Sequence, residues 1–369
     1  MGFKQGRSIA AWAVAAALGC CLAAQPRAMQ TSAEAAILIE ASGGRVLYEQ
    51  NADRELLIAS TTKIMTAVVA LENSSADDVV SVTQAHMAEG SSMYLKPGEQ
   101  VSMETLLYGL LLCSGNDAAL AIADHCGPGV AAFVEKMNEK ARQIGMEHTS
   151  FANPNGLDQE GHYSTARDMA RLAAYAMQQE DFARNAATKS ITIDGRTLVN
   201  HNKLLSRYDG CIGVKTGYTK AAGRTLVSCA ERGGMRLIAV TLHDGNDWAD
   251  HAALYDAGFA QYHMECAAEC GETAAVLPVL NGTQRAVDVV YGEEFSYPIR
   301  SDETISCRME MADCAFAPIA ARQQVGECIF LLNGQEIGRV PLLYAAGAEA
   351  LPVRTGSALM QKLYHLFIS

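Results

Sequence analysis

The sequence predicts an α+β fold, in which an antiparallel sheet is flanked by helices and a second, small all-β domain follows. Strand patterns at 36–50 and 212–242 enclose a long helical region. Short β-rich segments divided by Gly, Pro and Asn occupy the chain beyond residue 265. Since the late strands close back on the first pair, strands distant in sequence are expected to be neighbours in the sheet.

The first two elements are predicted to form a hairpin. Residues 36–40 and 45–50 are typical of strands, and the segment Ala-Ser-Gly-Gly at 41–44 is suited to the turn between them. A helix over 60–71 is predicted from apolar residues at helical spacing, namely Ile64, Met65, Val68 and Val69.

Helices and then strands complete the first region. Apolar or amphipathic stretches predict four helices, at 103–112, 117–125, 130–144 and 165–178. The Asn-Pro-Asn-Gly segment at 153–156 predicts a loop. Three strands are expected at 212–217, 224–230 and 236–242. The turn Gly233-Gly234 makes the last two an antiparallel hairpin, and a helix over 248–262 is expected to cover the sheet.

The C-terminal region is expected to form a separate small β domain. Its β-rich segments are 286–290, 304–309, 329–332 and 336–340. We therefore predict one domain over residues 33–264 and a second over 265–352.

Composition and charge limit the classes of partner. A content of 49% hydrophobic and 19% charged residues is typical of a globular protein. The formal net charge of −12 argues against a nucleic-acid partner, because a surface that follows phosphates needs clustered Lys and Arg.

The N-terminus has the layout of a secretory signal peptide, which we place at residues 1–24. Lys4 and Arg7 precede an apolar, Ala-rich run at 9–22, which is short for a transmembrane helix. The alternatives are a lipoprotein signal that uses Cys20 and an N-terminal helix of the fold. The signal-peptide interpretation predicts an exported, extracytoplasmic protein.

The cysteine pattern predicts free thiols and no metal site. Two of the eleven cysteines lie in the predicted signal, and the remaining nine are an odd, scattered set. Cys113, Cys211 and Cys229 lie in apolar stretches that favour buried thiols. Cys266 and Cys270 have no nearby His to complete a zinc site. No cofactor is expected.

Three short motifs carry the candidate chemistry. They are Ser60-Thr-Thr-Lys63 at a helix start, Ser114-Gly-Asn116 between two helices, and Lys215-Thr-Gly217 on a strand. Each motif alone is weak evidence, because it also occurs as a helix cap, a turn or a strand end. Their occurrence in this order behind a signal peptide indicates a serine-dependent acyl transfer, and this triple is known from class A β-lactamases and penicillin-binding proteins.

The spacing of the first motif suits nucleophilic catalysis. Residues three apart on a helix share one face, so the Lys63 amine is expected to reach the Ser60 hydroxyl. A serine needs an adjacent base, and Lys63 can act as one only if its pKa falls. Burial and a second cation, for which Lys215 is the candidate, both lower a lysine pKa. The helix N-terminus makes the Ser60 N–H a candidate oxyanion donor.

Residues 33–262 resemble the D-alanyl-D-alanine carboxypeptidases, which are low-molecular-mass penicillin-binding proteins of serine peptidase family S11. The resemblance rests on six segments. Three of them contain the motifs with their flanks, at 59–66, 112–118 and 213–219, and three lie elsewhere, at 153–157, 162–169 and 222–223. It implies a β-lactamase/transpeptidase-like fold. The C-terminal region resembles that family's extra β domain more loosely.

The resemblance implies a role for each matching residue. Ser60 would attack the carbonyl of the penultimate D-Ala of a peptidoglycan stem peptide, with Lys63 as general base. Ser114 and Lys215 would pass the proton to the departing D-Ala. The residues implied in substrate binding are Asn116 for an amide, Lys215 and Thr216 for the terminal carboxylate, Gly217 of the same motif, and Tyr218 through its backbone N–H. β-Lactams are the implied inhibitors.

Several other functions compete with this interpretation. A β-lactamase would share the motifs, but no Glu-x-x-Leu-Asn segment for deacylation occurs between Asn116 and Lys215. A transpeptidase or endopeptidase of the same family differs only in the acceptor, and a non-catalytic penicillin sensor is the alternative from another class.

The tail at 356–369 is predicted to be an amphipathic helix. Its apolar face consists of Leu359, Leu363, Leu366 and Phe367. The family resemblance implies that this helix binds the outer face of the cytoplasmic membrane. A helix docked on the β domain is the alternative.

Overall fold

The computed structural model describes residues 29–352, which divide into two compact units at the boundary between Gln261 and Tyr262. The predicted signal at 1–24 and the predicted tail helix at 356–369 lie outside the described residues. No helix within residues 29–352 is long and apolar enough to cross a membrane.

The first unit contains nine strands and eight helices among the described residues. Its strands are β1 Ala35–Glu40, β2 Val46–Gln50, β3 Val79–Ser81, β4 Gln100–Ser102, β5 Ser190–Ile193, β6 Arg196–Val199, β7 Cys211–Thr219, β8 Gly223–Arg232 and β9 Met235–Leu242. Its helices are α1 Lys63–Asn73, α2 Met103–Leu112, α3 Asn116–Cys126, α4 Val130–Gln143, α5 Ala166–Ala176, α6 Glu180–Ala187, α7 Leu204–Arg207 and α8 Asp247–Gln261.

One five-stranded antiparallel sheet, in the order β2-β1-β9-β8-β7, organises this unit. The first hairpin joins the last through β1 and β9, where Ile37 lies opposite Val240. The prediction that sequence-distant strands are neighbours is therefore confirmed. β7 is one of the two edge strands, with β2 at the opposite edge, so one row of β7 backbone groups pairs with no other strand of the sheet.

Helix α1 runs through the middle of the first unit. Its residues 63–70 are all buried, so the helix is enclosed on every side and not only along one stripe. Helix α8 covers the sheet, as predicted, and packs closely on it. A Cβ added to Gly258 would lie 2.8 Å from Leu237 Cδ1 and 3.0 Å from Leu38 Cδ2, so glycine permits the contact.

Some elements differ from the sequence prediction. The α-helix predicted from residue 60 begins at Lys63, and Ala59–Thr62 forms a turn of 3-10 helix before it. The β5–β6 hairpin was not predicted, although its Asp194-Gly195 turn is a strong hairpin signal and both residues have positive φ, 48° and 71°. Helix α6 and the β3–β4 pair were also missed.

Residues 262–352, the part of the second unit that the structure describes, contain strands and no helix, which confirms the predicted fold class. Its strands are β10 Tyr262–Ala268, β11 Thr273–Leu280, β12 Ala286–Tyr291, β13 Phe295–Arg300, β14 Ile305–Met311, β15 Ala315–Phe316, β16 Gln324–Leu332 and β17 Gln335–Tyr344. β10 pairs with β13, and the other strands form a sheet in the order β14-β16-β17-β12-β11-β15. Buried side chains such as Val289, Phe330 and Leu342 form its core.

Replacing Ile37 with Ala should lower the free energy of unfolding of the first unit by about 2–5 kcal/mol. Ile37 is fully buried between the sheet and the helices, so the substitution leaves a cavity. Urea unfolding followed by the fluorescence of Trp248, on α8, measures this change. The control Val79→Ala, at a residue that is 61% exposed, should cost less than about 0.5 kcal/mol. Equal costs for the two variants would contradict the assigned core.

Candidate active site

The serine of the first motif lies in the tight turn before α1. Ala59, which precedes Ser60, has a left-handed φ of 48°. The loop at 153–157 touches this turn so closely that a Cβ on Gly156 would lie 2.0 Å from the Ala59 carbonyl oxygen. Only glycine fits at this contact, so the loop helps to fix the position of Ser60.

The amine of Lys63 reaches three oxygen atoms. Its Nζ lies 3.0 Å from Ser60 Oγ, 2.7 Å from Asn116 Oδ1 and 2.5 Å from the carbonyl oxygen of Asn155. A neutral amine has two hydrogens, and the two carbonyl-type oxygens can accept both. The lone pair then faces the Ser60 hydroxyl, which is the geometry of a general base.

The surroundings of Lys63 favour its neutral form. Burial lowers the pKa of Lys63 well below its ordinary value, because a charged amine is poorly solvated in the interior. The positive charge of Lys215 lowers the pKa further, and the carboxylate of Asp117 acts in the opposite direction. The sequence-based expectation that burial and a second cation act together on this amine agrees with the structure.

The second motif leads into α3. Ser114 is 4% exposed and has a left-handed φ of 61°, and Asn116 is the first residue of the helix. Asn116 uses Oδ1 to accept a hydrogen bond from Lys63 and donates from Nδ2 to the Glu89 carbonyl oxygen at 2.6 Å. The structure therefore places Asn116 as a support of Lys63. The predicted contact of Asn116 with a substrate amide stays a prediction.

The third motif lies on the edge strand β7. Lys215 is buried, donates to the Thr216 carbonyl oxygen at 2.9 Å, and has its pKa lowered to about 7 by burial. A Cβ on Gly217 would lie 2.3 Å from Thr225 Oγ1 and 3.0 Å from Ser60 N. Glycine thus lets the strand approach the Ser60 backbone. The next residue, Tyr218, is 66% exposed.

Two residues next to the motifs were not predicted as part of the site. Asp117, 2% exposed, accepts hydrogen bonds from Met93 N, Leu95 N and Ser92 Oγ, which ties the loop before β4 to α3. The sequence signal that could have identified Asp117 is its position in the first turn of a predicted helix, where a negative charge interacts favourably with the helix dipole. This loop also presents Tyr94, which is 82% exposed with a φ of 62°.

His162 is the second such residue. Its Nδ1 accepts the Ala152 N–H at 3.0 Å, so the ring proton lies on Nε2 and is donated to Thr62 Oγ1 at 2.8 Å. Thr62 in turn donates to the Ala59 carbonyl oxygen. Burial lowers the pKa of His162 to about 4, so the ring is neutral at ordinary pH. His162 therefore joins the loop at 152–162 to the turn that holds Ser60.

The potential metal ligands of the described chain are scattered. Residues 29–352 contain no group of three or more His, Cys, Asp or Glu arranged to hold a metal ion. The cysteines described in this range are free thiols, with Cys229 buried and Cys113 and Cys211 partly buried.

The fold and site together define the class of protein. A serine beside a buried amine, facing the edge strand of a helix-flanked antiparallel sheet, is the arrangement of the penicillin-binding proteins. Two families match the sequence: D-alanyl-D-alanine carboxypeptidase over residues 22–246, and the C-terminal domain of penicillin-binding protein 5 over residues 266–349.

The chain belongs to the D-alanyl-D-alanine carboxypeptidase family, as predicted. It is 34% identical over 327 residues to the D-alanyl-D-alanine carboxypeptidase DacF of Bacillus subtilis, covering 84% of each chain. It is also 34% identical to DacC of Escherichia coli, with coverage of 87% of this chain and 86% of the relative. Penicillin-binding protein 5 of Haemophilus influenzae is similar in structure, with a TM-score of 0.75, 29% identity and coverage of 87% and 98%.

One further structural neighbour bears on the alternatives. A mutant DD-transpeptidase of Streptomyces has a TM-score of 0.61 and 34% identity, covering 63% of this chain and 99% of its own. Proteins named carboxypeptidase and transpeptidase thus both resemble this chain in structure, so the fold does not by itself select the acceptor of the acyl group.

Replacing Lys215 with Met should lower the rate of Ser60 acylation. It should also shift the acid limb of the pH–rate profile of acylation to higher pH. Lys63 must be neutral to act as a base, so acylation falls as the pH drops through its pKa. Removing the nearby charge of Lys215 raises that pKa. The rate of labelling by a fluorescent penicillin across pH measures the shift. The control Lys220→Met, at an exposed lysine beyond the same strand, should leave the limb in place.

Proposed function

We propose that this protein removes the terminal D-Ala from peptidoglycan stem peptides through an acyl-enzyme on Ser60, and that β-lactams acylate the same residue. The observation that carries this proposal is the contact between Lys63 Nζ and Ser60 Oγ at 3.0 Å, with Asn116 Oδ1 and the Asn155 carbonyl oxygen in place to accept the two hydrogens of a neutral amine. The family supplies the reaction class, and the geometry supports the assignment of the residues.

In the acylation step, Lys63 takes the Ser60 proton as Oγ attacks the carbonyl carbon of the penultimate D-Ala. The developing oxyanion is bound by the backbone N–H groups of Ser60 and Tyr218. Two facts support this assignment: β7 is an edge strand, and its Gly217 approaches Ser60 N.

In the second half of the step, the C–N bond breaks and the departing D-Ala amine must gain a proton. Ser114 and Lys215 are proposed to deliver it, and Lys215 and Thr216 to hold the terminal carboxylate. A lysine with a pKa of about 7 can both carry a charge and exchange a proton near neutral pH. Water then attacks the acyl-enzyme and releases a peptide shortened by one D-Ala.

Ser60→Ala should abolish both D-Ala release and labelling by penicillin, because no oxygen nucleophile remains. Lys63→Ala should keep the fold but lower the acylation rate by about 10²–10⁴-fold through loss of the base. Chromatography of a D-Ala-D-Ala pentapeptide after incubation with the protein measures the release of D-Ala. The control Ser306→Ala, at an exposed serine of the second unit, should retain full activity.

The product distinguishes the alternatives to this function. A carboxypeptidase yields the tetrapeptide even when an amine acceptor is present, whereas a transpeptidase yields a cross-linked dimer. A wild-type protein that is labelled by penicillin but releases no D-Ala would identify a sensor and overturn the proposed activity.

We also propose an extracytoplasmic location, with the tail bound to the outer face of the cytoplasmic membrane. The support is sequence-based, namely the signal-like residues 1–24 and the apolar face of 356–369. Deleting 356–369 should move the protein from the membrane fraction to the soluble fraction. The control Lys362→Gln keeps the apolar face and should stay with the membrane. Equal membrane retention after the deletion would refute the anchor.

A further inference from the structure

The larger sheet of the second unit has an apolar area on the face that points away from its core. In β11, Leu277 and Val279 are buried in the core, whereas Val276 and Leu280 lie on the opposite face and are exposed. Phe316 of β15 pairs with Leu280 and is 69% exposed. An antiparallel sheet with one face on a core usually carries polar side chains on the other face. The exposed apolar residues of this sheet depart from that pattern.

The neighbouring strand extends this apolar area. Pro278 of β11 and Ala286 of β12 lie opposite each other, and both are exposed. These two residues therefore join Val276 to Leu280 and its partner Phe316 on one surface. We call the surface formed by these five residues the outer apolar face. An exposed apolar area of this kind usually marks a contact with another structural element.

The described part of the chain stops beside the outer apolar face. Leu351 donates its backbone N–H to the Asn281 carbonyl oxygen at 2.8 Å, and Asn281 directly follows Leu280. Residues 353–369 therefore continue from the Leu280 end of the face. This segment contains the predicted amphipathic helix, whose own apolar side chains need a surface to cover them.

The dimensions of the predicted helix match the outer apolar face. The apolar side chains from Leu359 to Phe367 would span about 12 Å along a helix axis. The face spans about 13 Å along β11, from Leu280 to Val276. The link at 353–355 can cover about 10 Å when extended, which allows the chain to turn from the end of the described region onto the face. The helix is thus long enough to lie along β11, and its link is long enough to bring it there.

We propose that, in the absence of a membrane, the segment 356–369 packs as a helix on the outer apolar face of the second unit. Packing removes the apolar side chains of both surfaces from water. The exposed carboxylate of Asp288, opposite Val276, is available to the cations Lys362 and His365, which lie off the apolar side of the helix. The same apolar side chains cannot cover the sheet and enter a membrane at once. The membrane binding proposed above therefore requires the helix to leave the sheet.

Amide hydrogen exchange of the whole protein without lipid, measured by mass spectrometry, tests this packing. An isolated helix as short as 356–369 is marginal in water, so its amides exchange quickly unless the helix is packed against a surface. We expect the amides of 359–367 to exchange about tenfold more slowly in the wild type than in the double variant Leu280→Asp/Phe316→Asp. Equal exchange rates in the two proteins would overturn the packing.

Two controls accompany the double variant. The same exchange experiment reports whether the second unit is folded, because the amides of Val289 and Leu342, in the buried core of that unit, should stay protected. The variant Val199→Asp places the same charge at an apolar residue that is 57% exposed on the first unit. It should leave exchange at 359–367 unchanged, and faster exchange in this control would contradict an assignment to the outer apolar face.

A cross-link identifies the surface that the helix covers. A photoreactive phenylalanine analogue in place of Leu363 should cross-link within one chain to residues 276–280 or to Phe316. A cross-link to another surface, or a cross-linked dimer in which the helix covers a second copy, would overturn the proposal. When vesicles of phosphatidylglycerol and phosphatidylethanolamine bind the protein, the cross-link to the sheet should fall. Its persistence on vesicle-bound protein would show that the helix stays on the sheet, which would refute the exchange between the two positions.

Discussion

The burial of one lysine amine is the constraint on which the active site depends. A charged amine at the position of Lys63 would lose its hydration inside the fold, so the site favours the neutral form. That form still needs acceptors for its two hydrogens, and the fold supplies Asn116 Oδ1 and the Asn155 carbonyl oxygen. With both hydrogens used, the remaining lone pair has one direction left, toward Ser60. Burial therefore sets the charge of the amine, and its hydrogen bonds set its orientation.

The chain around this amine is held in conformations that an isolated segment would avoid. Ala59 and Ser114 both have left-handed φ values, which cost non-glycine residues free energy. Such strain persists because contacts with distant segments fix the backbone. His162 and Thr62 tie the turn before α1 to one loop, and Asp117 ties α3 to another. The supporting residues keep the nucleophile, the base and the second motif in register without touching the reacting atoms themselves.

Two lysines of the first unit are buried in a chain that is acidic overall. Lys63 and Lys215 are each 1% exposed or less, and the charge of Lys215 lowers the pKa of Lys63. Burial is the largest cause of the lowered pKa of each lysine, so both give up a proton more readily than an exposed lysine does. Burial therefore makes proton exchange possible at residues that are otherwise permanently charged near neutral pH.

The sequence by itself determined the fold class, the three motifs and the Ser60–Lys63 pair, because these follow from local periodicity and short spacing. Only the tertiary structure placed Asn155 and His162 in the site, since they lie about 100 residues from the serine and their contacts form by loop packing. It also decided that a 3-10 turn precedes α1. Local patterns report which face of an element is apolar, whereas hydrogen-bond partners across the chain depend on how the elements pack.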